Sequence, residues 1–387
     1  MIQLHSVKTP VCDVSIGYSN VSAEVWATVA AMFSRSVDGI EAIAEKVNDT
    51  KAEKFMESTY VGYGHASIGD LADIHVFVEG VPFYVACMLE HHSRFKGQES
   101  STRYINFAKQ RPAYDADVET YNEQIAIYLA AVEKVTQNLV TAWKDSADTG
   151  SVEYRAIKAR AFDICRSLLP WGATTNVAWY GDIRSITAHL AWLVSDKNLN
   201  RNVTNIAPYV DVIYKAISDV YPHSTKLLAN TRPSNPWPYP RDSDEVLCLT
   251  AANDAQVLDF GSWRDLNRHR VGFHNISFER ATNMHPWYRD MLNAHEVEYD
   301  WLDFPKPSIN KRLLGQLVPY TYGAHEEQLQ YVTHLRSKTT VHPTLRGAVQ
   351  NFAELHGFEH DIAPDVGPMG FYLHRGNDTI LFKGKEL

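Results

Sequence analysis

Residues 229–244 (ANTRPSNPWPYPRDSD) constrain most strongly what this chain can fold into. Pro233, Pro236, Pro238 and Pro240 crowd together there among polar neighbours. Proline lacks the N–H that a helix interior or a central strand needs, and its ring clashes with the preceding helical turn. No regular element can run through such a segment, so it reads as a linker or an inter-domain loop. At 387 residues the chain is long for one domain. The segment divides it into residues 1–228 and 245–387, each of ordinary domain length.

Before the proline-rich segment, residues 22–58 show helical periodicity, with Val25, Val29, Met32 and Phe33 on one stripe. A glycine-rich turn at 61–69 leads into the apolar run 74–89 (IHVFVEGVPFYVACML), which reads as buried. Residues 115–147 predict a long amphipathic helix, and 152–169 another that stops at Pro170. Helical signal continues across 176–196 and 204–219. Beyond it come a short apolar stretch at 245–249, a basic segment at 264–270, helical patterns at 308–318 and 326–336, and some strand near the end. A faint repeat links the two parts. VEGVPFYVACMLEHHSR at 78–94 and LDFGSWRDLNRHR at 258–270 share an apolar entry, a glycine and a final His/Arg cluster. DIRSI at 182–186 has a cousin in HLRSK at 334–338, so two copies of one unit would account for the length.

A formal net charge of −9 argues against broad binding to nucleic acid or an anionic membrane. Any anionic ligand must therefore be held by locally placed arginines. Cys12, Cys87, Cys165 and Cys248 are widely spaced with no CxxC pair, as expected for reduced, mostly buried thiols of a cytoplasmic protein. The N-terminus lacks a basic region followed by an apolar core, and no long uninterrupted apolar run predicts a membrane span.

Three clusters carry possible chemistry. Gly97-Gln98-Glu99-Ser100-Ser101-Thr102-Arg103-Tyr104 follows the apolar run. If extended, Glu99, Ser101 and Arg103 share one face, where Arg103 can grip a phosphate and Ser101 can add a hydroxyl. Arg268-His269-Arg270 is the densest positive point, with Arg264 just before it. Arg336 and Arg346 flank His342-Pro343, where a helix must stop and restart. His91-His92, with His65 and Glu90, does not read as a metal site, because adjacent helical residues point about 100° apart and HExxH is missing. GxSxG, P-loop and GxGxxG patterns are also missing, leaving serine-nucleophile, P-loop and Rossmann chemistry without support.

Taken together, Gly64-His65-Ala66-Ser67, the apolar run, His91-His92-Ser93 and Glu99-Ser100-Ser101-Thr102-Arg103-Tyr104 resemble the flavin-dependent thymidylate synthases. That family's signature is an Arg-His-Arg triplet followed by E-x-S-x-R-Y. Arg166, four residues before Pro170, matches a nucleotide-binding arginine of the family, and Arg184 matches a flavin-binding one. The first half departs from the pattern: His91 and Ser93 replace both triplet arginines, Asp182 replaces an Asn, and Leu193 stands where the family has its pyrimidine-polarising arginine. The second half carries an intact Arg268-His269-Arg270, and its Leu335-Arg336 … Leu345-Arg346 puts Arg336 at the polarising position. It lacks E-x-S-x-R-Y at 276–281, and Gly315 stands where the arginine before the proline would be.

In that family each nucleotide site is shared by two subunits. The resemblance therefore implies a diverged tandem in which the two halves supply complementary parts of one composite site. The fold implied is α+β: two related domains, each of helices and antiparallel sheet, packed as a pseudo-dimer, with the whole chain forming a homodimer. The activity implied is C5 methylation of dUMP to dTMP, with FAD, NADPH and methylene-tetrahydrofolate. Arg336 would be catalytic, and Gln98, Glu99, Ser101, Arg103, Arg166, Asp265 and Arg268 would bind substrate. Arg268, His269, Arg270, Ser67, Asp70, Glu99 and Arg184 would hold the flavin. Asp265 stands where the family has a Gln, so C5 methylation or hydroxymethylation of another pyrimidine nucleotide is an alternative. A non-catalytic nucleotide-binding protein of the same fold is the second alternative.

Overall fold

The computed structural model describes residues 3–62, 66–103, 105–143, 148–195, 206–225, 247–250, 258–299, 308–375 and 378–383. Strands β1 (Gln3–Lys8) and β2 (Asp13–Tyr18) precede helices α1 (Ala23–Phe33), α2 (Ile40–Ala44) and α3 (Asp49–Phe55). Strand β3 (Asp73–Pro82) runs directly into α4 (Phe83–Glu90), and β4 (Lys96–Glu99) follows. Two long helices come next, α5 (Val118–Ala142) and α6 (Val152–Cys165). Strand β5 (Thr174–Asp182) leads into α7 (Ile183–Ser195), α8 (Ala207–Val220) and the single turn α9 (Pro222–Thr225). Next are β6 (Leu247–Thr250), α10 (Phe260–Leu266), β7 (Phe273–Ile276) and α11 (Pro286–Ala294). The last elements are β8 (Tyr320–Ala324), α12 (Glu326–Arg336), α13 (Pro343–His356), β9 (Phe371–Arg375) and β10 (Asp378–Phe382).

These elements form two compact units, each discontinuous in sequence: Met1–Ser100 with Thr174–Pro236, and Ser101–Ala173 with Trp237–Leu387. One boundary between the units, Pro236/Trp237, falls within the expected linker at 229–244, while residues 101–173 belong with the C-terminal residues in the second unit. The proline-rich segment itself lies outside the described residues.

The first unit is built on an antiparallel sheet of order β1-β2-β3-β5-β4. Along β3, Ile74, Val76 and Val78 are buried, whereas Asp73, His75, Phe77 and Glu79 are exposed. The apolar run is therefore a strand with one covered face, joined to a helix in which every residue from Phe83 to Glu90 is buried. Between them Gly80 takes φ +78° at a bulge, and its N–H donates to Asn176 Oδ1 at 3.1 Å. A side chain there would be strained. The helical signal expected across 176–196 is a strand up to Asp182, because Val177 and Trp179 alternate inward against β3. Asp182 Oδ1 then accepts the Ser185 N–H at 2.7 Å and starts α7. In α1, Val25 and Val29 pack with Ile43 and Ala52, and Met32 is partly buried against them. Phe33 leaves the expected stripe, being 52% exposed at the last residue of the helix.

In the second unit, β6-β8-β7 form an antiparallel sheet and β9-β10 a hairpin. Helices α5 and α6 supply the long faces expected from sequence. Cross-links stitch 101–173 onto the later residues: Gln124 Nε2 donates to Lys311 O at 2.8 Å, Trp143 Nε1 to Met369 O at 2.8 Å, and Trp171 Nε1 to Leu313 O at 3.0 Å. The helix expected at 308–318 is instead a short 3-10 turn, Ile309–Lys311, followed by extended chain. Its backbone pairs antiparallel with 167–172, through Gly315 N to Ser167 O, Leu314 N to Leu169 O and Gly172 N to Asn310 O. Cys12, Cys87 and Cys165 are buried and Cys248 is exposed, all as free thiols. Among the described residues, no helix is long and apolar enough to cross a membrane.

Candidate functional site

Five of the residues singled out in sequence, Arg166, Asp265, Arg268, His269 and Arg336, meet in the second unit around the end of α10. This helix has only seven residues and depends on its cap: Asp259 Oδ1 accepts the Ser262 N–H at 3.0 Å. It places Asp265 in its last turn and delivers Arg268, His269 and Arg270 just beyond. Helix α12 ends on Arg336, where the negative end of the helix dipole favours a cation.

Arg336 donates from Nε to His269 Nε2 at 2.7 Å and from Nη2 to the Asp265 carbonyl at 2.7 Å. Its Nη1 has no hydrogen-bond partner among the described residues. A guanidinium can only donate, so Nε2 of His269 is the lone-pair nitrogen and the ring is neutral with its proton on Nδ1. Burial, followed by the charges of Arg336, Arg270 and Arg268, pushes the His269 pKa down to about 3.

Asp265 Oδ2 accepts from Arg166 Nη1 at 3.1 Å, and Oδ1 lies 4.0 Å from Arg268 Nη2. Burial opposes ionisation of Asp265, but Arg166, Arg268 and Arg336 hold its carboxyl well below the usual carboxylate range. Arg166 is only 1% exposed. It also donates from Nε to Tyr288 Oη at 2.9 Å and from Nη2 to Ser262 Oγ at 3.2 Å, with Asp259 Oδ1 4.0 Å away. Burial works against its charge, yet Tyr288, Asp265 and Asp259 outweigh it and raise the pKa.

From here a polar chain continues. Tyr288 Oη lies 3.3 Å from His342 Nε2. His342 Nδ1 accepts the Thr344 N–H at 3.3 Å, so Nε2 carries the ring proton and donates to Asp163 O at 3.0 Å. The Asp163 carboxylate receives a two-point grip from Arg103, Nε to Oδ1 at 2.7 Å and Nη2 to Oδ2 at 2.8 Å. Arg103 Nη1 donates to Thr340 O at 2.6 Å.

Not every expected grouping forms. The polar stretch does not stay extended: β4 ends at Glu99, and Ser101 Oγ accepts the Arg103 N–H at 3.3 Å within a turn. The expected single face of Glu99, Ser101 and Arg103 is therefore broken by that local turn. Tyr104, Gly64 and His65 lie outside the described residues. Gln98 and Glu99 belong to the first unit, where they line a cavity of about 580 Å³ with Phe77, Glu79 and Asn176. Also in that unit, Arg184 Nη1 bonds Asp70 Oδ2 at 2.9 Å on the surface, and Ser67 is exposed nearby in sequence on the turn Ala66–Leu71. Leu193, at the lost arginine position, is buried. Among the described residues, no three metal-ligating side chains are grouped.

Asp163, Tyr288, Asp259, Ser262 and Thr344 were not singled out in sequence. Asp163 carried one signal, three residues before Arg166 on the same helical face. The others are brought in by packing alone. Gly315 has a steric explanation: a Cβ there would lie 2.5 Å from Ser167 Cβ, so no side chain fits where the first half has Arg166.

A family model described as thymidylate synthase complementing protein matches residues 16–223, more than half of the chain. The chain belongs to this family. The match ends before Asp265, His269 and Arg336. A UPF0159 protein of Chlamydia pneumoniae is 28% identical over 152 residues, which is 35% of this chain. The chain spans only 28% of that relative's length. Among solved structures, thymidylate synthase X of Helicobacter pylori with FAD and dUMP aligns at 11% identity and a TM-score of 0.35, covering 60% of this chain and 100% of that one. A UMP/dUMP methylase of Streptomyces cacaoi bound with 5-Br dUMP aligns at 12% identity and a TM-score of 0.31, covering 60% and 97%.

Proposed function

We propose that this member of the family methylates a pyrimidine nucleotide at C5, with dUMP to dTMP as the reaction. FAD is the cofactor, and methylene-tetrahydrofolate and NADPH are the cosubstrates. The observation that carries this reading is the contact of Arg166, from the first half of the sequence, with Asp265 beside His269 and Arg336 from the second. A composite site made by both halves of a fused tandem requires that meeting.

Within the site, Arg336 is the catalytic residue. His269 and the Asp265 carbonyl fix its guanidinium, leaving Nη1 to stabilise negative charge developing on the pyrimidine edge. A charge held in place before the reaction needs no reorganisation during it. Arg268, exposed beside Asp265, contacts the nucleotide or flavin. Arg166 is enclosed by its protein partners and acts by positioning Asp265. His269, buried beneath Arg336, likewise acts as a positioning residue rather than a flavin contact.

When bound, FAD would supply redox chemistry, a hydride for the transferred carbon. Arg184 and Ser67, both reachable from solvent in the first unit, have the donor chemistry that a pyrophosphate needs. Arg270, Asp70 and Glu99 are the remaining flavin candidates, while Gln98, Ser101 and Arg103 remain with the nucleotide.

Asp265 favours a second reading of the substrate. An ionised carboxylate only accepts hydrogen bonds, whereas the family's Gln at this position also donates. A base presenting donors at its pairing edge, including cytosine with its exocyclic amine, would suit Asp265.

Purified protein should be yellow, with flavin absorbance that changes on adding dUMP under reducing conditions. Arg336→Ala should abolish turnover with FAD still bound. Well-folded protein that is colourless and takes up no FAD would overturn the reading. Mass analysis of products from dUMP, UMP and dCMP decides the base.

A further inference from the structure

A second positive feature of the second unit is a cleft of about 300 Å³ between α6, the loop before α13 and β9. Arg103, Arg155, Arg160 and Arg346 line it, with Tyr372 on one wall and Asp163 as its carboxylate. Asp163 is already committed to Arg103 through both of its oxygens. The other three guanidiniums are not balanced in this way.

Arg160 and Arg346 are 6% and 4% exposed. Nε of Arg160 and Nη1 of Arg346 are buried with no hydrogen-bond partner among the described residues. Arg160 does donate from Nη2 to Gly367 O at 3.0 Å, and its guanidinium lies over Trp287 at 5.2 Å. Arg346 lies over the Tyr372 ring at 5.6 Å. Aromatic faces, one carbonyl, the Tyr372 hydroxyl beside Arg346 and the attraction of Asp163 and Asp365 for Arg160 ease the burial of two like charges, yet Arg160 Nε and Arg346 Nη1 stay unsatisfied among the described residues. An unmade hydrogen bond at a buried charged donor is costly, and such atoms in a native protein call for a partner. Arg155, exposed on the same helix, adds a third cation to the cleft.

We propose that this cleft binds a phosphomonoester, with Arg155, Arg160 and Arg346 supplying donors to its dianion. A tetrahedral dianion offers acceptors in several directions and matches the excess of guanidinium charge. The apolar surfaces of Val341, Pro343 and Ala159 leave room for the carbon attached to the phosphate. Arg103 apart, none of these residues belongs to the nucleotide site proposed above, and the inference does not depend on C5 chemistry.

The test is isothermal titration of the full chain with inorganic phosphate, ribose 5-phosphate and dUMP at low salt. The wild type should bind inorganic phosphate and at least one of the two esters in competition. Arg346→Gln and the exposed, fold-neutral Arg155→Ala should each weaken that binding about tenfold, the worth of one charge-assisted hydrogen bond. Arg336→Ala should leave phosphate affinity unchanged. If dUMP competes with phosphate here, the ester is the nucleotide; if only ribose 5-phosphate does, it is another metabolite. Wild-type protein that binds none of the three, or Arg155 and Arg346 variants that bind as tightly as wild type, would overturn the proposal. The functional reading fails on different evidence, the lack of bound flavin.

Discussion

Arg166–Asp265 in the second unit and Arg184–Asp70 in the first are the same chemical pair at nearly the same distance, 3.1 and 2.9 Å. Their surroundings differ. Arg166 is enclosed and also donates to Tyr288 Oη and Ser262 Oγ, whereas the side chains of Arg184 and Asp70 are 42% and 37% exposed. Water screens the surface pair and lets it break at little cost. Arg166 has lost that water, and Asp265, 24% exposed, keeps only part of it, so each ion depends on the other and on the hydrogen bonds around it. One arrangement can yield to a ligand, and the other holds a site in shape.

The largest effect should come from breaking the enclosed pair. Arg166→Met removes the guanidinium while keeping an unbranched side chain, and leaves Asp265, Tyr288 and Ser262 without their donor. Loss of one partner from a buried pair costs about 3–5 kcal/mol. Urea denaturation should show that loss as a lowered midpoint. A midpoint within experimental error of wild type would mean that the network around Arg166 does not hold the unit together.

Acid should be the next most effective perturbation. His269 and His274 both have their pKa values pushed down to about 3, burial being the largest cause in each case. Both rings are neutral in the folded state, but in the unfolded chain they take up a proton near pH 6.5. As pH falls below 6.5 the unfolded state therefore binds more protons, and stability declines toward the folded-state values near 3. Each fully titrating site contributes about 1.4 kcal/mol per pH unit in that window. Stability measured from pH 8 to 5 should be flat above 7 and fall below 6.5, with a shallower fall in His274→Gln. An unchanged slope in that variant would remove His274 from the account.

What sequence revealed follows from the range of the interactions involved. Helices α5, α8 and α12 were legible because their apolar spacing and end signals are local. Arg336 could be placed at a helix end because the helical pattern at 326–336 stops there, ahead of the His342-Pro343 break. The strand in 176–182 was missed because its buried residues, Val177 and Trp179, acquire meaning only against β3. The same applies to 308–318, whose extended form depends on pairing with 167–172. Arg166, Asp265, His269 and Arg336 were visible as residue types. Their enclosure was not, because Tyr288, Ser262 and Asp259 arrive from distant elements. Interleaving of 101–173 with the C-terminal residues could not be read from the proline-rich segment, which marks a break in regular structure but not which parts pack together.

Gly315 tests the packing beside the enclosed pair. Its missing Cβ leaves room for Ser167, the residue after Arg166, and its N–H bonds Ser167 O at 3.0 Å. In Gly315→Ala the new methyl meets Ser167 Cβ at 2.5 Å and Cα at 3.0 Å, so backbone must shift. Overpacking of this kind costs about 1–3 kcal/mol. The thermal midpoint should fall by several degrees, and restoring space with Ser167→Gly in the same chain should recover part of it. No recovery would show that the strain lies elsewhere.

The smallest effect should come from the surface pair. Arg184→Ala removes one ion from a contact that is more than a third exposed on both sides, and such pairs contribute less than about 1 kcal/mol. Salt at about 1 M should weaken even that, since the Debye length there, about 3 Å, is comparable with the 2.9 Å contact. The variant should therefore unfold at nearly the wild-type urea concentration, with the difference shrinking as salt is added. FAD affinity provides the independent readout. If Arg184 serves the flavin, the variant should lose cofactor while keeping its stability, a separation that Arg166→Met cannot show. If instead Arg184→Ala proves as destabilising as Arg166→Met, the contrast between an enclosed and a screened pair is wrong. The surface arginine would then be structural.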